Sequence, residues 1–329
     1  MAGQQYAHED YTIGWICALP KTELVAAAAM LDEEHPVLPA ADPHDANSYL
    51  LGRMGDHNVV IACLPAETTG KVSAATVATD LIRSFPSIRF GLMVGIGGGV
   101  PYHGLQRQAT SAEIDEDDSD ESDDGMDEIP DIRLGDVVVS LHTKTTEAVV
   151  QYDFGKSLQA KGFVRAGGQL NKPPNIVLNA IARLQANHAQ GRHKFPELLS
   201  KMLAAYPAMA SFQHPGCEKD RLFKADFVHL EGKRSCKACC GPDNANLVKR
   251  RSRTDTAPKI HYGTIGSADQ VMKDGILRDQ WASKESILCF EMEAAGKSRR
   301  QHNILVTKFE FRFDGFISLP RHPRNLRLR

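Results

Sequence analysis

Phe290-Glu291-Met292-Glu293-Ala294-Ala295-Gly296 follows directly on the apolar run Ile287-Leu288-Cys289. Two carboxylates flanking a methionine predict a strand that stops at a functional edge, because Glu and Met are poor strand formers. Alternation across the pleat is expected to send one carboxylate into a cleft and the other away from it. A carboxylate in such a cleft suits a ribose diol, since each oxygen accepts charge-assisted hydrogen bonds from hydroxyls. The same pair also suits a plain surface at a helix start, where acids are favoured.

Working outward, Val94-Gly95-Ile96-Gly97-Gly98-Gly99-Val100-Pro101 follows the apolar run Phe90-Gly91-Leu92-Met93. Glycines after a strand are expected to form a loop, using positive φ to bring backbone N–H groups close to an anion or a sugar. Tight turns use the same residues. Ile132 to Ser140 reads as a turn feeding a buried strand, Val59 to Leu64 as a strand, and Thr68-Thr69-Gly70-Lys71-Val72-Ser73-Ala74-Ala75 as a helix opening. Further strands are expected at Ile13–Leu19, Asn47–Gly52 paired with Asn58–Leu64 around Gly55-Asp56, Arg89–Val94, Val149–Tyr152, Lys259–Ile265 and Ile287–Phe290. Helices are expected at Thr22–Asp32, Ser73–Phe85, Asn175–His188, Glu197–Ala205 and Asp279–Glu285. Distant strands must lie side by side to bring the glycine run near Glu293. That requires an α/β fold, a central mixed sheet with helices on both faces and ligands at the strand ends.

The 329 residues are 42% hydrophobic, enough for one large α/β core. No apolar run approaches the roughly 20 residues of a membrane span, and Met1 to Asp10 lacks the basic and apolar regions of a signal peptide. A cytoplasmic protein without membrane partners is expected. The net charge of −2 hides two opposed blocks. Glu113 to Glu128 holds eleven acids and no base, so it cannot bury enough surface to offset its ordering entropy and reads as disordered. A solvated acidic loop and a calcium site both fit it. Lys297 to Arg329 holds nine Lys/Arg against Glu310 and Asp314, but the remainder shows no nucleic-acid surface. The odd number of cysteines, seven, argues against a disulfide framework. Cys236 and Cys239 form a CxxC that is either half of a zinc site, completed by Cys217, His214 or His229, or an ordinary loop.

Strand Val59–Leu64, the Thr-Thr-Gly-Lys helix opening, the glycine run and the Ile132–Ser140 turn, in this order, resemble the nucleoside phosphorylase superfamily. It includes purine and uridine phosphorylases and methylthioadenosine/S-adenosylhomocysteine nucleosidases. Tyr11 to Pro20, Val149 to Lys156, His261-Tyr262-Gly263 and Gln270 to Gly275 resemble its fungal branch, whose members often carry the domain in front of larger NTPase-containing receptors. The likeness implies a three-layer αβα sandwich over residues 11–296. It is interrupted by an acidic insertion at 105–130 and an irregular one at 212–258, and followed by an atypical basic tail at 297–329.

The activity the resemblance implies is cleavage of a purine nucleoside N-glycosidic bond, by phosphorolysis or hydrolysis. The only partner implied is a small-molecule nucleoside, with phosphate as co-substrate, no cofactor or metal, and assembly as a homo-oligomer allowed. By matched position, Glu293 grips the ribose hydroxyls beside Glu291, and Met292 packs on the sugar. Val271 and Met272 contact the base. Gly95, Ile96, Gly97 and Gly98 match the loop on the phosphate or ribose 5′ side, although Ile96 or a glycine stands where many members have a hydroxyl. Thr69, Gly70 and Lys71 match the phosphate or nucleophilic-water side, where Lys71 reads equally as a solvated lysine. Glu23 matches the water-activating carboxylate of nucleosidases, with an equal reading as an acid in a first helical turn.

The departure comes after Gly296. Members of the superfamily continue into a buried strand ending in an Asp that protonates the purine, and then a closing helix. Here Ile304 to Thr307 is a short apolar run with no such Asp, and Asp314 lacks the expected surroundings. The family's last strand and helix therefore read as missing or altered, exposing apolar sheet surface. Loss of a general acid costs about 10²–10⁴ in rate, so impaired turnover is expected. A nucleoside-sensing or interaction module without turnover is the second reading.

Overall fold

Val59-Val60-Ile61-Ala62 splits its side chains between two layers, as a strand covered on both faces must. Val59 and Ile61 pack with Ile13, Cys17 and Ala27, whereas Val60 and Ala62 pack with Ile16, Ala74, Val77 and Leu81. The computed structural model describes residues 5–100, 131–160, 162–166, 173–192, 194–228, 244–248, 250, 253, 255–296 and 304–310. The acidic insertion and the Cys236/Cys239 pair lie outside these residues. Among them no group of His, Cys, Asp and Glu stands together as a metal site, and no helix is long and apolar enough to cross a membrane.

β1 (Ile13–Cys17) lies between β4 (His57–Cys63) and β5 (Phe90–Gly99), parallel to both. β3 (Tyr49–Met54) joins β4 through the expected hairpin, and Gly55 takes φ +58 at its turn. β2 (Glu33–Glu34) adds an outer edge. After β1 a π-helical turn (Pro20–Leu24) runs into α1 (Val25–Ala29), so the expected helix at Thr22–Asp32 is cut short at both ends. α1 covers one face of β1 and β4 through Ala27, and α2 (Lys71–Ser84) covers the other. The result is a three-layer α/β fold around a mixed sheet.

Beyond β5 the order is β12 (Ile304–Glu310), β6 (Val137–Ser140), β10 (Ile260–Ser267) and β11 (Ile287–Glu291). β7 (Val149–Gln151) pairs with β10. β11 also pairs antiparallel with β5, Cys289 opposite Gly99 and Phe290 opposite Gly98. The run β5–β12–β6–β10–β11 therefore returns to β5 and closes into a ring. Two sequence expectations are corrected here. Gly95 to Gly99 continue a strand without positive φ and do not form a loop, because they pair with β12 on one side and β11 on the other. Ile304 to Glu310 is not part of a detached tail. It pairs with β5 over its whole length and with β6 at Thr307, Lys308 and Phe309.

α3 (Asn175–Ala189) seats Val177 and Ile181 on Val137 and Val139, and α4 (Phe195–Ala205) follows it. α5 (Gly275–Glu285) leads into β11 through Ser286, a left-handed C-cap at φ +53. The small hairpin of β8 (Gly155–Leu158) and β9 (Gly162–Arg165) is tied to α5 by Arg165, which donates to both carboxylate oxygens of Glu285 at 3.1 and 2.9 Å. The described parts of 212–258 hold short turns and one bridge, Phe223 to Leu247. Arg250 and Arg253 anchor this excursion: Arg250 donates to Asp131 at 2.7 Å, and Arg253 grips the buried Asp136 at 2.8 and 2.6 Å.

Candidate functional site

The end of β1, the middle of β5 and the end of β11 bring Glu23, Glu291 and Glu293 to one side of the ring. All three are buried, at 9%, 5% and 6% exposure. Such carboxylates need donors, and each has them. Glu23 Oε2 accepts from the N–H of Ala18 at 2.5 Å and of Leu19 at 3.1 Å, and its Oε1 accepts from Ile96 N–H at 2.7 Å. The backbone cradle expected for an external anion thus holds the protein's own carboxylate. A Cβ on Gly95 would collide with that carboxylate.

Glu291 caps the turn that follows it, accepting from Glu293 N–H at 3.0 Å and Ala294 N–H at 2.9 Å. Glu293 Oε1 accepts from Gly70 N–H at 3.2 Å, at the start of α2. The expectation that one of the two glutamates turns away is corrected, because β11 ends at Glu291 and the turn after it brings Glu293 back to the same side. Both meet Lys308 of β12, whose Nζ lies 3.3 Å from Glu291 Oε2 and 3.7 Å from Glu293 Oε2. Lys308 is 1% exposed. Burial opposes its cation, but Glu291, Glu293 and Glu23 outweigh that and hold it above the usual lysine range. Burial pushes the Glu293 carboxyl up, against a downward pull from Lys308. Glu23 and Glu293 are close enough for Glu23 to add to that upward push.

The Thr69-Gly70-Lys71 corner sits beside this cluster and is already internally satisfied. Gly70 takes φ +97 at the mouth of α2, and a Cβ there would lie 2.9 Å from Asp269 Oδ1. Lys71 N–H donates to Asp269 at 2.9 Å, and its ammonium pairs with Asp153 at 2.7 Å and Asp269 at 3.2 Å. The Lys71 side chain is 13% exposed and is paired with two aspartates. Thr69 is exposed and Met292 half-buried. Val271 is 59% exposed, while Met272 packs against the cluster of Val150, Tyr152, Ala268, Ile287 and Phe290. Gly97 is buried in the ring, where a Cβ would meet Cys289 Sγ and the Cβ of Lys308, the latter at 3.0 Å; Gly98 faces open space.

The structure therefore gathers Glu23, Gly70, Gly95, Ile96, Gly97, Glu291 and Glu293, and leaves Val271 outside. Sequence reasoning missed Lys308. Its signal was a lysine closing the apolar run at Ile304 to Thr307, where a charge must be explained if the segment is a strand.

A nucleotide-binding leucine-rich repeat (NLR)-like protein of Hyaloscypha variabilis is 39% identical to the chain over 290 residues. The match takes in 88% of this chain and 25% of that protein, so the chain spans about a quarter of the relative's length. No family model matches the chain. Solved structures with a similar course include a futalosine hydrolase of Helicobacter pylori, 15% identical, with a TM-score of 0.46 over 92% of this chain and 85% of that one. The 5′-methylthioadenosine/S-adenosyl homocysteine nucleosidase of Campylobacter jejuni is 14% identical, with a TM-score of 0.47 over 91% and 85%. The MTA/SAH nucleosidase of Streptococcus pneumoniae is 16% identical, with a TM-score of 0.46 over 91% and 84%.

Proposed function

We propose that the carboxylate cluster binds the ribose of a purine nucleoside, and that the reaction it supports is slow cleavage of the N-glycosidic bond. The convergence of Glu293 with Glu23 on the glycine strand carries the reading. A carboxylate offers about four lone-pair sites. Glu293 uses one for Gly70 and faces Lys308 with its other oxygen, which leaves capacity for two hydroxyls of a diol. Breaking the bond builds positive charge on the ribose, and buried carboxylates favour that charge most where it is greatest. The purine leaves with negative charge and needs a proton donor. The seven residues of β12 carry Lys308 but no aspartate to supply one.

That last observation also favours the second reading, a nucleoside-sensing module that binds without turnover. The length of the NLR-like relative accommodates it. Incubating the purified chain with adenosine, inosine, guanosine and methylthioadenosine, with and without phosphate, tests both. Calorimetric binding with base release far below the ordinary ~1–10³ s⁻¹ is expected. Binding with no release leaves the sensing module, ordinary turnover overturns the slow-catalyst reading, and absence of binding overturns the nucleoside assignment.

A further inference from the structure

We propose that Lys308 is the positioning residue of this site: its ammonium holds Glu293 as a carboxylate, the form that can accept a sugar diol. The ligand rests on the nucleoside reading above. The effect on Glu293 rests on the cluster alone.

Three buried carboxylates face one buried ammonium. Glu291 and Glu293 approach from β11 and the turn after it, and Glu23 from the π-helical turn after β1. The Cys289 thiol lies on the same side. Like charges this close disfavour one another's ionised forms, and burial adds to the effect. Backbone donors offset part of the cost, three on Glu23 but, among the described residues, Gly70 alone on Glu293. Glu293 thus depends most on a cation, and Lys308 is the cation beside it. β12 is fixed between β5 and β6, with Lys308 opposite Gly95 and Val138, so the ammonium is held by the centre of the sheet. Gly97, two residues along β5, leaves room for the lysine stem: a Cβ there would come within 3.0 Å of the Lys308 Cβ. A protonated Glu293 would lose the charge-assisted bonds to hydroxyls. A lysine that served packing alone, with no pull of its ammonium on Glu293, would lower stability on replacement without moving the pH at which Glu293 ionises.

The test uses the full chain with carboxyl-¹³C glutamate, titrated by NMR in wild type, Lys308→Met and Lys308→Arg, with Glu293→Gln assigning the resonance. Glu293 is expected to ionise at higher pH in Lys308→Met and at the wild-type pH in Lys308→Arg. Adenosine calorimetry over the same range should show affinity falling with acid. Its half-loss should move to higher pH in Lys308→Met, with binding at least tenfold weaker near neutral pH. If Lys308→Met does not fold, it is combined with Glu291→Gln and compared with Glu291→Gln alone, so that the upward push of Glu291 is absent from both and the loss of Lys308 is read by itself. An unchanged Glu293 titration in these variants overturns the proposal. A wild type that binds no adenosine sinks the nucleoside reading instead, and the NMR titration still decides the role of Lys308.

Discussion

Gly95 and Gly98 lie in the same strand, yet a methyl group on each meets different surroundings: the Glu23 carboxylate at one, nothing within 4 Å at the other. Gly95→Ala must push Glu23 off the N–H groups of Ala18, Leu19 and Ile96, and buried donors left without acceptors cost about 1–3 kcal/mol. Urea unfolding should show a loss of that size for Gly95→Ala and a change within about 0.5 kcal/mol for Gly98→Ala. Equal effects at the two positions would mean that Glu23 is not held as described. Much of this neighbourhood was readable in advance, because a carboxylate at a strand end and a run of glycines each have few physical uses. The partners of those groups were not. Nothing local to Lys71 announces Asp153 and Asp269, which lie 82 and 198 residues away, and Lys308 becomes a site residue only once its strand has a place in the sheet.

Elements with a strong local pattern were legible. The hairpin around Gly55-Asp56, α2 and α3 stand within a few residues of where periodicity and turn chemistry place them. The glycine run is a strand and not a loop because glycine's small size, and not its conformational freedom, is what these positions use. β5 passes so close to β11 and β12 that a Gly97 side chain would strike Cys289. β12 was assigned to a tail because its sequence departs from the expected motif. Backbone pairing is indifferent to that departure, and Ile304 to Glu310 takes the middle of the sheet. A chain ending at residue 303 would leave β5 and β6 with open hydrogen-bonding edges on both sides of the gap. Such a truncation should be recovered as aggregate by size-exclusion chromatography and lack a cooperative thermal transition. A monomeric, cooperatively melting product would show that β12 is dispensable.

Across the whole molecule the ionisable groups set a common direction with pH. Burial alone would raise Asp136, but His261, Arg253 and the N–H groups of Lys259 and Arg133 overcome it and hold the carboxyl well below the usual range. Burial is likewise outweighed at Asp131 by Arg250 and Arg133, and at Asp153 by Lys71. Carboxyls depressed in the folded state contribute stability above the ordinary Asp value, and that stability is lost as pH falls through and below about 4. Glu293 and Glu147, raised by burial, act in the opposite sense and are outnumbered. Unfolding free energy should therefore drop steeply below about pH 4. Asp136→Asn should cost about 3–5 kcal/mol at neutral pH, the usual loss when a buried pair is broken, and progressively less in acid. A cost that stays constant with pH would remove Asp136 from this account. The ring of strands has a further consequence, in time. β5 (Phe90–Gly99) and β6 (Val137–Ser140) are made well before β12 (Ile304–Glu310), the strand that must lie between them. Pairing partners so far apart along the chain makes closure a late event. Between the making of β6 and that of β12 the protein carries a slot shaped for a piece of itself that has not yet been translated.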